Sequence, residues 1–174
     1  MHDSDDGREA QAWCALRNDD ARLAFRLFLR LAMEGSANAQ RQVAEMFFYG
    51  TGVREDEPLA ARWYRTAAEQ GHAEAQCDYA WCLDQGLGVV RDRQQATIWL
   101  RRSAQQGNRS AQYALGIAYE RGQCGVPRDL RRSVHWYRGS PRRRTTRRPG
   151  PASPSWPGRW RRRRDRIQAG PAGG

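Results

Sequence analysis

Residues 50–56, Gly-Thr-Gly-Val-Arg-Glu-Asp, return as Gly-Leu-Gly-Val-Val-Arg-Asp at 86–92. With one residue added they return again at 122–129 as Gly-Gln-Cys-Gly-Val-Pro-Arg-Asp. The interval is 36 residues, and it holds on both sides of the motif. Upstream, Ala39-Gln40, Ala75-Gln76 and Ala111-Gln112 share it, as do Gly35, Gly71 and Gly107. Downstream, once the extra residue is counted, Trp63, Trp99 and Trp136 align, followed by Arg65, Arg101 and Arg138. So many ordered coincidences identify an internal repeat, with a period in the range of stacked helical units.

Each unit reads as two helices. The first, over 37–49, carries Ala39, Val43, Ala44 and Phe47 on one apolar face, the spacing of an amphipathic helix. Its equivalents are Ala75, Tyr79, Ala80 and Leu83, then Ala111, Leu115, Gly116 and Tyr119. The Gly-x-Gly turn ends it, because glycine takes a positive φ without steric penalty. Asp56, Asp92 and Asp129 stand where an N-cap is needed for the next helix, and Asp92 with Gln95 has the spacing of a capping box. The second helix, over 57–69, shows Ala60, Trp63, Tyr64, Ala67 and Ala68. The recurring tryptophans are expected in the core. Counting back 36 residues, Asp20, Ala24, Leu27, Phe28, Leu31 and Ala32 match a second helix, with Trp13 and Leu16 in the segment before it.

These residues, above all Gly-x-Gly-Val, the aspartate that follows it, and Trp-Tyr followed by Ala-Ala-Glu-Gln-Gly at 63–71, resemble Sel1-like repeats. The resemblance covers about 20–138. It implies an all-α, right-handed α/α superhelical solenoid of tetratricopeptide-like hairpins, with the first helices lining the concave face. It also implies a non-catalytic protein-binding scaffold with no cofactor. The expected division is an N-terminal helical cap or degenerate repeat at 1–34, repeats at 35–70, 71–106 and 107–138, the last truncated, and a tail at 139–174.

Binding is expected on first-helix positions beside the core stripe. Arg41, Glu45 and Phe48 form one such stripe, followed by Cys77, Trp81 and Asp84, then Tyr113, Ile117 and Glu120. The expected contacts with a protein or peptide partner are Arg41, Glu45, Asp78, Trp81, Tyr113 and Ile117. An exposed Trp81–Tyr113–Ile117 strip would take an amphipathic or extended peptide. Packing between units is the other reading of Trp81 and Ile117.

Charge separates the chain into two materials. The formal net charge is +11. Residues 1–138 hold 19 Arg and 18 acidic residues, net +1, whereas 139–174 hold 11 Arg and one acid, net +10. The tail has six Gly and six Pro in 36 residues, too little apolar area to offset the entropy of ordering. Disorder is therefore expected there. A reading out of frame from a GC-rich gene accounts for the same composition and for the helix pattern breaking off after Arg138. Arg161, Arg162, Arg163 and Arg164, near Trp156 and Trp160, give the alternative function: binding nucleic acid or another anionic polymer. All 30 cations are arginine, which excludes lysine-dependent catalysis such as P-loop, kinase and Schiff-base chemistry.

No metal-ligand spacing joins His2, His72 and His135, and His72 is expected to be solvated at a helix start. No apolar run reaches the length of a membrane span. The acidic start, Met1 to Asp6, lacks the character of a secretory signal, and free thiols are expected at the four cysteines, so the expected location is cytoplasmic. Self-association is a further expectation, through a C-terminal repeat left uncapped, with Tyr119, Trp136 and Tyr137 exposed.

Overall fold

The computed structural model describes residues 5–138, which form eight helices and no strand. They are α1 (Asp5–Arg17), α2 (Ala21–Met33), α3 (Ala37–Tyr49), α4 (Glu57–Glu69), α5 (Ala73–Gln85), α6 (Arg93–Gln105), α7 (Arg109–Arg121) and α8 (Leu130–Arg138). Each helix packs chiefly on its neighbours in the chain, as in a solenoid. Odd-numbered helices are the first of each unit and even-numbered helices the second. The expected spans 37–49 and 57–69 coincide with α3 and α4.

Side chains cap every helix from α2 onward. Asp20, Asp56, Asp92 and Asp129 accept from Leu23, Leu59, Gln95 and Arg132 backbone N–H groups at 2.9–3.0 Å. Ser36, His72 and Asn108 do the same for α3, α5 and α7. Asp92 completes only half of a capping box, because its own backbone N–H is donated to Leu83 O. The same bond recurs from Asp56 to Phe47 and from Asp129 to Tyr119, so it closes the turn in the three units that carry the glycine-rich loop.

The repeated Ala-Gln step is a clasp between units. Gln40, Gln76 and Gln112 donate to the carbonyls of Ala32, Ala68 and Ala104, near the C-terminal ends of α2, α4 and α6. Each of these carbonyls also accepts a backbone N–H at the helix end, from Gly35, Gly71 and Gly107, so the amide takes the second lone pair and ties the following helix down. Gln70 and Gln106 then donate to Gln40 and Gln76 at 2.7 and 2.8 Å.

The core has two clusters, one built on α1–α3 and one running from α3 to α8, and both touch Phe47 and Trp63. Phe28, Tyr64 and Leu100, at one position of successive second helices, are fully buried. Trp63, Trp99 and Trp136 lie at the margin of the core, half-buried, rather than within it. Trp99 meets Tyr79 edge-on at 5.7 Å, with the Arg102 guanidinium over its ring.

At the C-terminal end the structure revises which residues are exposed. Tyr119 is buried: its hydroxyl accepts from Arg101, and Arg132 lies over its ring. Tyr137 is half-buried, donates to Glu120, and fills the space left by Gly116, where any Cβ would collide with its ring. Trp136 is also half-buried. The exposed apolar residues are instead Leu130 and Val134, 54% and 48% exposed. Val134 aligns with Ala61 and Thr97, which are buried where a following unit covers them.

Candidate functional site

The first-helix layer carries an open groove of roughly 520 Å³ between α1 and α3, with Thr51 and Glu74 also among its lining residues. Trp13 and Leu16 of α1 and Met46 and Tyr49 of α3 supply its apolar lining. The groove follows from local sequence. Positions Ala12 and Ala15, on the face that α1 buries, are small, so the large side chains of α1 stand at its flank. Trp13 rests edge-on against Phe28 at 5.1 Å and remains 39% exposed. Its indole N–H donates to Glu9, one turn earlier.

Across the groove stands an ion cluster centred on Arg41. Its guanidinium reaches Asp78 at 3.0 Å, Glu74 at 3.3 Å and Glu45 at 3.5 Å. Arg41 is buried and Asp78 fully so. The cluster joins α3 to α5, because residues 37 positions apart sit beside each other in consecutive first helices. Glu45 and Glu74 keep more exposed side chains at the groove wall.

The expected contact residues divide. Arg41 and Glu45 line the groove, and Asp78 lies behind Arg41. The exposed Trp81–Tyr113–Ile117 strip is not present: Trp81 and Ile117 are buried and Tyr113 is half-buried, 5.8 Å from the Tyr137 ring. The reason is packing within the first-helix layer. Phe48 meets Trp81 at 5.4 Å, so this stripe joins successive units instead of facing solvent. Helix α5, enclosed on every side, buries each residue from Ala75 to Asp84. Trp13, Met46, Tyr49 and Glu74 were missed. The only sequence signal was a tryptophan in the N-terminal cap helix. Arg161–Arg164 and the expected disorder of 139–174 lie outside the described residues. Among the described residues no cluster of His, Cys, Asp and Glu has the makings of a metal site, and no helix is long and apolar enough to cross a membrane.

His72 adjoins the cluster and is half-buried rather than solvated. Its Nδ1 accepts from the Ala75 N–H at 3.2 Å and its Nε2 lies 2.7 Å from Asn38 Oδ1. Both bonds need the neutral ring with its proton on Nε2. Burial first, and the Arg41 charge second, hold its pKa below the ordinary histidine value. A base whose pKa falls on folding leaves the unfolded state binding more protons, so stability is full above the unfolded value and drops as pH falls toward the folded one. Denaturant midpoints should therefore fall between about pH 7.5 and 5.5. His72→Asn, which places the cap of Asn108 in this unit, should flatten that profile. An unchanged slope in the variant would assign the pH dependence elsewhere.

The sequence model of the Sel1 repeat family matches four consecutive stretches of the chain, residues 15–36, 37–72, 73–108 and 109–138. Among solved structures, a Sel1 repeat protein from Oxalobacter formigenes is similar, with 30% identity and a TM-score of 0.68 over 76% of this chain and 56% of that one. A protective antigen present in uropathogenic Escherichia coli strains, displaying an SLR fold, is similar at 27% identity and a TM-score of 0.71, over 76% of this chain and 29% of that one. The chain thus spans about half the length of the first and under a third of the second. No curated protein matches it.

Proposed function

The chain belongs to the Sel1 repeat family, and from that premise we propose that it is a scaffold that holds a peptide or an extended segment of a partner protein on its first-helix face. Proteins of this family are generally non-catalytic protein–protein interaction scaffolds. The observation that carries the reading is the groove beside Trp13. A partly exposed tryptophan over an apolar lining is the kind of anchor that dominates binding energy at protein interfaces. Arginine and carboxylate groups around it fix orientation and register more than they add affinity. Helix α3, on one side of the groove, is capped by Ser36 and clasped to α2 through Gln40, so that wall is formed before a partner arrives, which lowers the ordering cost of binding.

The test is a footprint. Full-length protein is used to capture partners from its host, and side-chain oxidation is mapped in the free and bound forms. Trp13 and Tyr49 should be protected severalfold in the complex. Protection confined to the outer faces of α4 and α6, with Trp13 as reactive as in the free protein, would sink the reading.

A further inference from the structure

We propose that the segment received by this groove is cationic, with an arginine or lysine beside a large apolar side chain. This rests on the reading above and adds the chemistry of the partner. The charge count at the groove decides the sign. Arg41 is matched by Asp78, which is completely buried and faces it at 3.0 Å. Glu45 and Glu74 add two more carboxylates, held 3.5 and 3.3 Å from the same guanidinium, so among these described residues carboxylates outnumber the cation. Their side chains remain 26% and 59% exposed, so an incoming cation reaches both. Glu9 adds a third carboxylate at the α1 side, bonded to the Trp13 indole.

The apolar lining and the carboxylates reinforce each other. A side chain seated among Leu16, Met46 and Tyr49 excludes water from the groove, and the attraction between carboxylate and cation strengthens as the local dielectric falls. The face of Trp13 offers a cation–π contact to the same charge. An anionic segment would instead meet Glu45 and Glu74 as like charges while they lose solvent, a penalty that selects against it. The carboxylates are already oriented by Arg41, so little side-chain entropy is lost when the cation arrives.

The experiment uses full-length protein with three synthetic octapeptides, alternating Arg-Leu, Ser-Leu and Glu-Leu, and reads oxidation of Trp13. The Arg-Leu peptide should protect Trp13 at concentrations at least about tenfold lower than the other two, and added salt should weaken it. Glu45→Gln with Glu74→Gln should reduce that protection about tenfold, whereas Glu69→Gln on α4 should leave it unchanged. Gln42→Lys, which places a cation among the residues that line the groove, should produce the same loss in a chain whose helical signal is intact. Equal or better protection by Ser-Leu or Glu-Leu overturns the cationic assignment while leaving the groove as the binding site. Failure of all three to protect Trp13 also overturns it, and the footprint with a captured partner then decides whether the first-helix face binds at all.

Discussion

Replacing Gly88 by alanine should cost far more than replacing Gly71, although both glycines have positive φ. Gly88 sits at φ +65 and Gly71 at φ +90, so both pay the steric penalty of a left-handed backbone, about 1–2 kcal/mol for a residue with a Cβ. Their surroundings differ. Nothing lies within 4 Å of a Cβ built on Gly71, while one built on Gly88 would fall inside the carbonyl of Glu57 and against Pro58 N. Those are backbone atoms of the first turn of α4, in the preceding unit. No rotamer change relieves the overlap, so the 86–92 turn must lift away from α4. Overpacking of this kind adds about 1–3 kcal/mol or more. The total expected loss is therefore about 2–5 kcal/mol, near 10 °C in Tm for a chain of this size. Because a solenoid is a sum of units and nearest-neighbour interfaces, the loss should fall on one interface. Thermal melts of Gly88→Ala should resolve into two transitions, with Gly71→Ala giving a single one shifted by a few degrees. Equal shifts for the two variants would show that the turn does not seat on α4. Gly125 in the third turn is the internal control: its Cβ would meet Gln94 and Arg93 at ordinary distances of 3.5–3.7 Å, so only the φ penalty should appear there.

The glycine pattern shows how far the residues alone carried the reading. Spacing gave the period, the helix boundaries and the capping aspartates, because these depend on local backbone geometry. A helix-terminating glycine at φ > 0 was legible for the same reason. The role of the second glycine of the turn, Gly52 or Gly88, in seating that turn on the second helix of the preceding unit was not, since it depends on where two backbones 31 residues apart meet. Gln40 and Gln76 were visible as a column, yet their acceptors at Ala32 and Ala68 and their donors at Gln70 and Gln106 appear only in three dimensions. The groove is the least legible part. A helical period says which residues share a face, but not that first helices lie close enough for Phe48 to cover Trp81. Nor does it point to Trp13, whose helix lies before the regular repeats. The connection from α1 to α2 spans only residues 18–20, against 50–56 in the next unit, so the register of α1 could not be carried over from its neighbours.

Arg41 and Asp78 should prove strongly coupled, and more important for orientation than for stability. Arg41→Met removes the cation from a carboxylate that has no exposed surface. Breaking a buried pair from one side costs about 3–5 kcal/mol, because the remaining charge stays in a poorly solvated place. Asp78→Leu should cost less, about 1–3 kcal/mol, since Arg41 still faces Glu74 and Glu45 and these carry solvent to it. The double variant Arg41→Met with Asp78→Leu removes both charges and fills the volume with apolar atoms. Buried pairs replaced in this way are often neutral or even stabilised, so its denaturant midpoint should return close to that of the parent, with the double loss far smaller than the sum of the single losses. Partner capture should not return with it. Without the guanidinium, Glu45 and Glu74 lose the group that holds them at the groove wall, and protection of Trp13 by the Arg-Leu peptide should stay at least about tenfold weaker than in the parent. Stability and binding would then have separated at a single pair. If the double variant is instead as unstable as the two single losses added together, the pair contributes through independent contacts. If it regains both stability and peptide protection, Arg41 has no part in positioning the carboxylates.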